Sequence, residues 1–275
     1  MSRVGPLRVL IAMADWRSLA VLRRNAMVYL RNWRTVFLPP AMEPVVFFLA
    51  FGLGLGGYVG HLQYQGRPIE YATYVAPGLL AYTAFSTPFF EALYSSYVRM
   101  FYQKTWDGIL ATQVELHHIA WGEVLWAGCR GMLNTAVVAL VLGVFDLFGF
   151  IHIHWPLLAL TPLVACVAGW AFGAAALVFT AIVPSIDHMN YPVFLLAVPL
   201  SLVSNTYFPV PIHHPAVALL VHVNPVYYLA ESFRSLLVAG APDAHLAGLF
   251  VTVSVLLVAA FLVSHRLLRR RVLGE

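Results

Sequence analysis

The chain has 275 residues, of which 61% are hydrophobic and only 10% charged, with a mean hydropathy of +0.79 and a formal net charge of +4. A soluble domain carries about 25% charged residues, so too few remain here to coat a water-facing surface, and lipid is the expected solvent for most of the chain. The pI near 9.2 does not point to nucleic acid, because the basic residues border apolar runs instead of alternating with stacking aromatics in a polar segment.

Residues 1–15 are short, weakly apolar and without a small-residue cleavage site, so a cleaved signal peptide is not expected. Over 16–37 the residues Trp16, Leu19, Ala20, Met27, Leu30, Trp33 and Phe37 recur at helical spacing, while Arg17, Arg24 and Arg31 repeat every seven on another face. That pattern predicts an amphipathic helix on the cytoplasmic membrane surface, within a cytoplasmic segment 1–35.

Six runs are long and apolar enough to cross a bilayer: 36–58, 74–97, 121–145, 157–183, 191–208 and 246–264. Pro192 and Pro199 are candidate kinks in the fifth. The expected fold is an all-α integral membrane protein with a six-span domain over 36–267 and a basic tail at 268–275. Of the 16 Lys and Arg residues, 13 fall before the first span, between the second and third, or in the tail. The positive-inside rule then puts both termini in the cytoplasm of a bacterium, with the chain in its inner membrane.

Two connections carry information. The cytoplasmic one, 98–120, is too polar for lipid and long enough for a short helix. The external one, 209–245, holds five prolines and two apolar stretches too short to span, which predicts re-entrant or interfacial helices. No catalytic motif is present. The single lysine, Lys104, follows Gln103, so no P-loop can form around it. Any ATP and Mg must be bound by another polypeptide, and no cofactor is expected in this chain. ATP-driven motion must then reach it through a cytoplasmic contact. The 98–120 connection offers Tyr102 and Trp106 as aromatic plugs, and Lys104 and Asp107 as orienting charges beside Thr105. The eleven histidines, including external His152, His154, His213, His214 and His222, show no standard metal-ligand spacing.

Ionisable residues inside spans are costly unless paired or wetted. Glu43, Glu91 and Arg130 qualify, with Glu123 at the inner edge of the third span. Helical rise puts the first three at similar depth. Two readings stay open: an ion pair within the bundle, with Arg130 on Glu91 or Glu43, or a polar lining of a substrate route. Glycines 52, 54, 56 and 57 and the Gly169/Gly173 pair mark close helix contacts, within the chain or at a dimer seam.

The segments FGLGLGGYV (51–59), YVAPGLLAYTAF (74–85), FFEALYSSYVRM (89–100), TWDGILATQVELHHIAWGEVLWA (105–127) and SIDH (185–188) occur in an order that resembles the ABC-2 type export permeases, most closely their NodJ-like branch. The resemblance runs from about Arg23 to Arg234. It implies six spans, a coupling helix between the second and third, and an external re-entrant hairpin. It also implies pairing with a second copy of the chain and with two separate ATPase subunits, and an amphipathic substrate such as a glycolipid, polysaccharide, lipid or drug. The outer region departs from the family pattern: SNTYFP carries Asn205 where glycine is usual, before Tyr207, and NPVYY brings Asn224 and Tyr228, with Arg234 beyond. That region is a candidate for substrate contact. Two other classes fit the composition: a proton-coupled or facilitative transporter, and a membrane protein handling haem or metal through external histidines.

Overall fold

The computed structural model describes residues 6–32, 42–43, 45–211 and 214–274. Trp33, Phe37, the start of the expected first span and His213 lie outside the described residues. In chain order the helices are α1 (Pro6–Ile11), α2 (Trp16–Arg31), α3 (Val45–Val59), α4 (Tyr71–Phe90, running on through π turns at Glu91–Ser95 and Val98–Tyr102) and α5 (Thr105–Leu110). There follow α6 (Leu116–Leu147), α7 (Trp155–Ile182), α8 (190–202), α9 (Pro215–Val223), α10 (Pro225–Arg234, with a π turn at Ser235–Ala239) and α11 (Ala244–Leu273).

Among the described residues, three helices, α6, α7 and α11, are individually long and apolar enough to cross a membrane. The expected first, second and fifth spans are helical too but less regular. Helix α3 is shorter, and α4 carries Pro77 and Pro88 with several tyrosines and hydroxyl residues. Helix α8 stops at Leu202, six residues before the expected end, because the chain turns at Val203 and then takes a left-handed conformation at Asn205.

The all-α expectation needs one correction. A two-stranded antiparallel hairpin, β1 (His61–Tyr64) and β2 (Arg67–Glu70), joins α3 to α4. Its two-residue turn has Gln65 at φ +49° and Gly66 at φ +76°, the twist that matches paired strands. A Gln-Gly turn signals this weakly, because glutamine seldom takes positive φ.

Helix α7 is the hub, packing on α6, α11 and α4. Its buried positions are mostly small: Ala165, Ala168, Gly169, Ala171, Gly173, Ala174 and Ala176. Small side chains allow the close backbone approach that stands in for a hydrophobic drive within lipid. A Cβ on Gly169 would lie 2.9 Å from the Cα of Gly128 on α6, and one on Gly173 2.9 Å from the Cβ of Ala127, so this GxxxG pair serves contacts within the chain. Helix α2 buries Ser18, Val21, Asn25 and Tyr29, packing against α6, and leaves Trp16, Leu19, Met27 and Leu30 exposed. The apolar stripe read from the sequence therefore faces away from the protein, as an interfacial helix requires.

One contact pins the N-terminal half of α4. A Cβ on Gly78 would fall 2.1 Å from the backbone oxygen of Thr206. Backbone cannot yield as a side chain can. Gly78→Ala is expected to lower the stability of the purified protein by about 1–3 kcal/mol in thermal unfolding in detergent, while Gly108→Ala, with nothing within 4 Å of the added carbon, does not lower it. Equal unfolding temperatures would contradict this packing.

Candidate functional site

Four charged groups, Glu91, Arg99, Glu123 and Arg130, form one network within the bundle. At Glu91 helix α4 departs from α geometry into its π turns, a distortion common at functional positions. Along these turns Glu91 meets Trp126 and Arg130 of α6 and Arg99 meets Glu123 of α6, while Ser95 bonds to Glu91. Arg99 donates to Glu91 at 3.0 Å and to Glu123 through both Nε (3.0 Å) and Nη2. Arg130 pairs with the other oxygen of Glu91, so of the two partners expected for it, Glu91 is the one it meets. Neutral donors complete both carboxylates. Ser95 and Trp126 reach Glu91 at 2.9 Å, and Ser96 (2.9 Å) and Trp106 (3.3 Å) reach Glu123. Glu91 and Glu123 are almost wholly inaccessible, and the cost of burying them is offset by two guanidinium groups and these hydrogen bonds.

Two cavities meet at this network. One, of about 430 Å³, is lined by Glu43, Tyr82, Thr87, Tyr94, Asn134 and their neighbours. The other, of about 290 Å³, lies between α2 and α4 and is lined by Arg24, Asn25, Tyr29, Gln103 and others. Glu91, Tyr94, Ser95 and Arg130 line both, so the Glu91–Arg130 pair is the wall between them. The two readings of the intramembrane charges thus coincide: the ion pair is itself part of a polar lining. Glu43 joins the wall of the larger cavity and is not a partner of Arg130.

The 98–120 connection holds the expected short helix, α5. Lys104 precedes it at φ +52°. Tyr102, Lys104 and Asp107 are exposed, Thr105 is half-buried, and the Lys104 ammonium stands 3.8 Å from Asp107. Trp106 requires a correction. It was expected as an outward plug, yet it is fully buried, because its indole N–H is aimed inward at Glu123. Arg24 of α2 reaches Thr105 at 3.5 Å.

The expected substrate-contact residues of the 205–234 region bond within the protein. Arg234 is fully buried: it pairs with Glu231, donates to the carbonyls of Asn205 (2.7 Å) and Tyr74 (3.2 Å), and stacks 3.9 Å above the Tyr74 ring. Asn205 sits at φ +55°, which explains why glycine suits that position and why asparagine can replace it. Its amide donates to Glu231 at 2.9 Å and accepts from Val210 N–H at 2.8 Å. Asn224 caps α10 and donates to the Leu200 carbonyl at 2.7 Å. Tyr207 and Tyr228 are half-buried against Phe51 and His245. Asn205, Asn224 and Arg234 therefore tie α10 to α4, to α8 and to the turn after α8, their polar groups engaged by the protein itself. Burial among these groups pushes the Tyr64 phenol above its ordinary pKa.

Comparison with known proteins fits this architecture. The sequence model of the ABC-2 type transporters matches residues 18–238. The chain belongs to the ABC-2 type transporter family. Nodulation protein J of Rhizobium leguminosarum bv. viciae is 30% identical to it over 258 residues, 93% of this chain and 95% of that protein. Nodulation protein J of Rhizobium meliloti is 28% identical over 261 residues, 94% and 95% of the two chains. The inner membrane transport permease YadH of Escherichia coli is 25% identical over 244 residues, 88% and 90%.

In this ABC-2 protein, Arg99 and Trp126 belong to the site although the sequence reading left them out. Arg99 counted only as a topology charge, and its spacing from Glu91 fits a straight helix poorly, since the π turns are not legible in composition. The pair itself is testable. Glu91→Gln leaves Arg130 without its carboxylate and is expected to cost about 3–5 kcal/mol, part of which Arg130→Gln restores. A double-mutant cycle on thermal unfolding checks this, and a coupling energy of zero would mean the pair does not form.

Proposed function

We propose that the chain is the permease subunit of an ATP-driven exporter that moves an amphipathic substrate across the bacterial inner membrane. The observation that carries this reading is the pair of polar cavities meeting at a buried ion network, in an ABC-2 family chain whose sequence has no nucleotide-binding motif. The subunit is non-catalytic; ATP and Mg belong to a separate ATPase present in two copies. Helices α3, α4, α6, α7, α8 and α11 make the six spans, and both termini are cytoplasmic. In support, Arg24, Arg99 and Lys104 gather at the α5 end of the bundle, where Arg271 also bonds to the Thr180 carbonyl and covers Tyr97 and Phe101. Arg67 sits with the β-hairpin at the Arg234 end, where Tyr64 lies beneath the guanidinium. The name of the Escherichia coli relative, an inner membrane transport permease, supports the location.

The working unit is a homodimer, with the outer glycines of α3 as one seam candidate, since a Cβ on Gly57 would meet nothing. Coupling runs through α5. Tyr102, Lys104 and Asp107 meet the ATPase, and Trp106 carries the movement inward. Tyr102→Ala combined with Asp107→Ala is expected to lower co-purification of the partner ATPase about tenfold or more with thermal stability unchanged. Trp106→Ala is expected to lower stability itself, by about 3–5 kcal/mol. Undiminished co-purification and ATP-dependent export in the double variant would refute α5 as the docking element.

A further inference from the structure

The larger cavity carries an unbalanced charge that the exporter reading does not use. The charged residues in its wall are Glu43, Glu91 and Arg130. Within the buried network Glu91 and Glu123 are matched by Arg99 and Arg130, so that network is neutral and Arg130 already has its counter-charge. Glu43 is left over. It is exposed and belongs to the cavity wall, and among the described residues no cation stands within salt-bridge reach of it. Its charge is felt by two phenols, Tyr82 and Tyr207, and a phenol does not neutralise a carboxylate. A carboxylate at membrane depth without a counter-charge is costly.

The rest of the wall is uncharged, and much of it is aromatic. Tyr82, Phe90 and Tyr94 line the same cavity and are half-buried. The rings of Phe90 and Tyr94 have centroids 6.3 Å apart. From Tyr82 a ladder of rings continues: Tyr207 at 6.5 Å, Phe51 5.7 Å beyond it, and Phe47 5.7 Å beyond that. Aromatic faces attract a cation through the ring quadrupole, the more so where water is excluded. One uncompensated carboxylate beside aromatic rings, in a cavity of about 430 Å³, favours a cation with an apolar body over an anion of the same shape.

We propose that this cavity binds a lipophilic monocation, whose charged centre pairs with Glu43 while its apolar body lies against Tyr82, Phe90 and Tyr94. The bound cation supplies the counter-charge that Glu43 lacks and leaves the Glu91–Arg130 pair undisturbed. The proposal rests on the exporter reading for its meaning, since it names the charge and shape of the substrate class. Binding itself requires neither ATP nor the ATPase.

The full-length chain, purified without its ATPase in neutral detergent, is titrated with tetraphenylphosphonium and with tetraphenylborate, which share a shape and differ in the sign of their charge. Binding is read by equilibrium dialysis against protein-free micelles. Tetraphenylphosphonium is expected to saturate one site and to bind at least tenfold tighter than tetraphenylborate. Glu43→Gln is expected to weaken it about tenfold with thermal stability unchanged, because the carboxylate has no protein partner to lose. Glu43→Asp, which keeps the charge, is expected to retain most of the affinity. Tyr82→Leu is expected to weaken binding severalfold, and Tyr82→Phe, which keeps the ring, to leave it close to wild type. Glu70→Gln, an exposed carboxylate on β2, is expected to change nothing. Equal affinity for the two ions, equal loss in Glu43→Gln and Glu43→Asp, equal loss in Glu70→Gln, or undiminished binding in Glu43→Gln would overturn the proposal. Absence of ATP-driven export by the complex with the ATPase, with these affinities retained, would sink the exporter reading alone.

Discussion

The bundle depends on keeping Arg99 and Arg130 neutralised among helices that face lipid. Neither guanidinium can lose its proton in a protein, and each unpaired charge at that depth costs several kcal/mol. Glu91 bridges the two, Glu123 takes the second face of Arg99, and two serines and two tryptophans fill the remaining acceptor sites. Such a network is seldom the most stable filling for a core, because well-packed apolar residues of similar volume do as well or better. Its value is geometric. It fixes the register of α4 against α6, and it does so where α4 has given up regular helical geometry.

The same network joins α5 to the interior of the bundle. The Trp106 indole links α5 to Glu123, Glu123 to Arg99, and Arg99 to the Glu91–Arg130 pair that divides the two cavities. Alongside it, α2 is held to α6 by the fit of Val21 and the Ser18 carbonyl over Gly122, and to α5 by Arg24. A displacement of α5 therefore has rigid polar partners to push on, and they end at a cavity wall.

Most of the fold was legible because lipid imposes simple rules. Apolar runs of sufficient length gave α6, α7 and α11 nearly where they lie, and proline-broken apolar stretches gave α9 and α10. The stripe Trp16, Leu19, Met27, Leu30 gave the surface helix and its outward face. What escaped depended on geometry with no compositional trace. The π turns that bring Arg99 to Glu91 are invisible in residue type. The β-hairpin hangs on Gln65 at positive φ, and the early end of α8 on Asn205 doing the same. Trp106 looked like an interface residue because aromatic residues in polar loops usually are, and only the position of Glu123 shows why it turns inward. Asn205, Asn224 and Arg234 drew attention because their segments depart from the family pattern, and each makes hydrogen bonds within the protein.

The central claim is that α5 acts on the cavity wall through Trp106 and Glu123. In a background with Cys129 and Cys166 replaced by alanine, a cysteine at Thr87, in the larger cavity, reports its accessibility through its rate of reaction with a water-soluble thiol reagent. The permease–ATPase complex is compared with and without a non-hydrolysable ATP analogue. The account predicts that the analogue changes the rate several-fold, and that Trp106→Phe, which keeps the buried ring but removes its N–H, abolishes the change without dissociating the ATPase. An undiminished response in Trp106→Phe would contradict it.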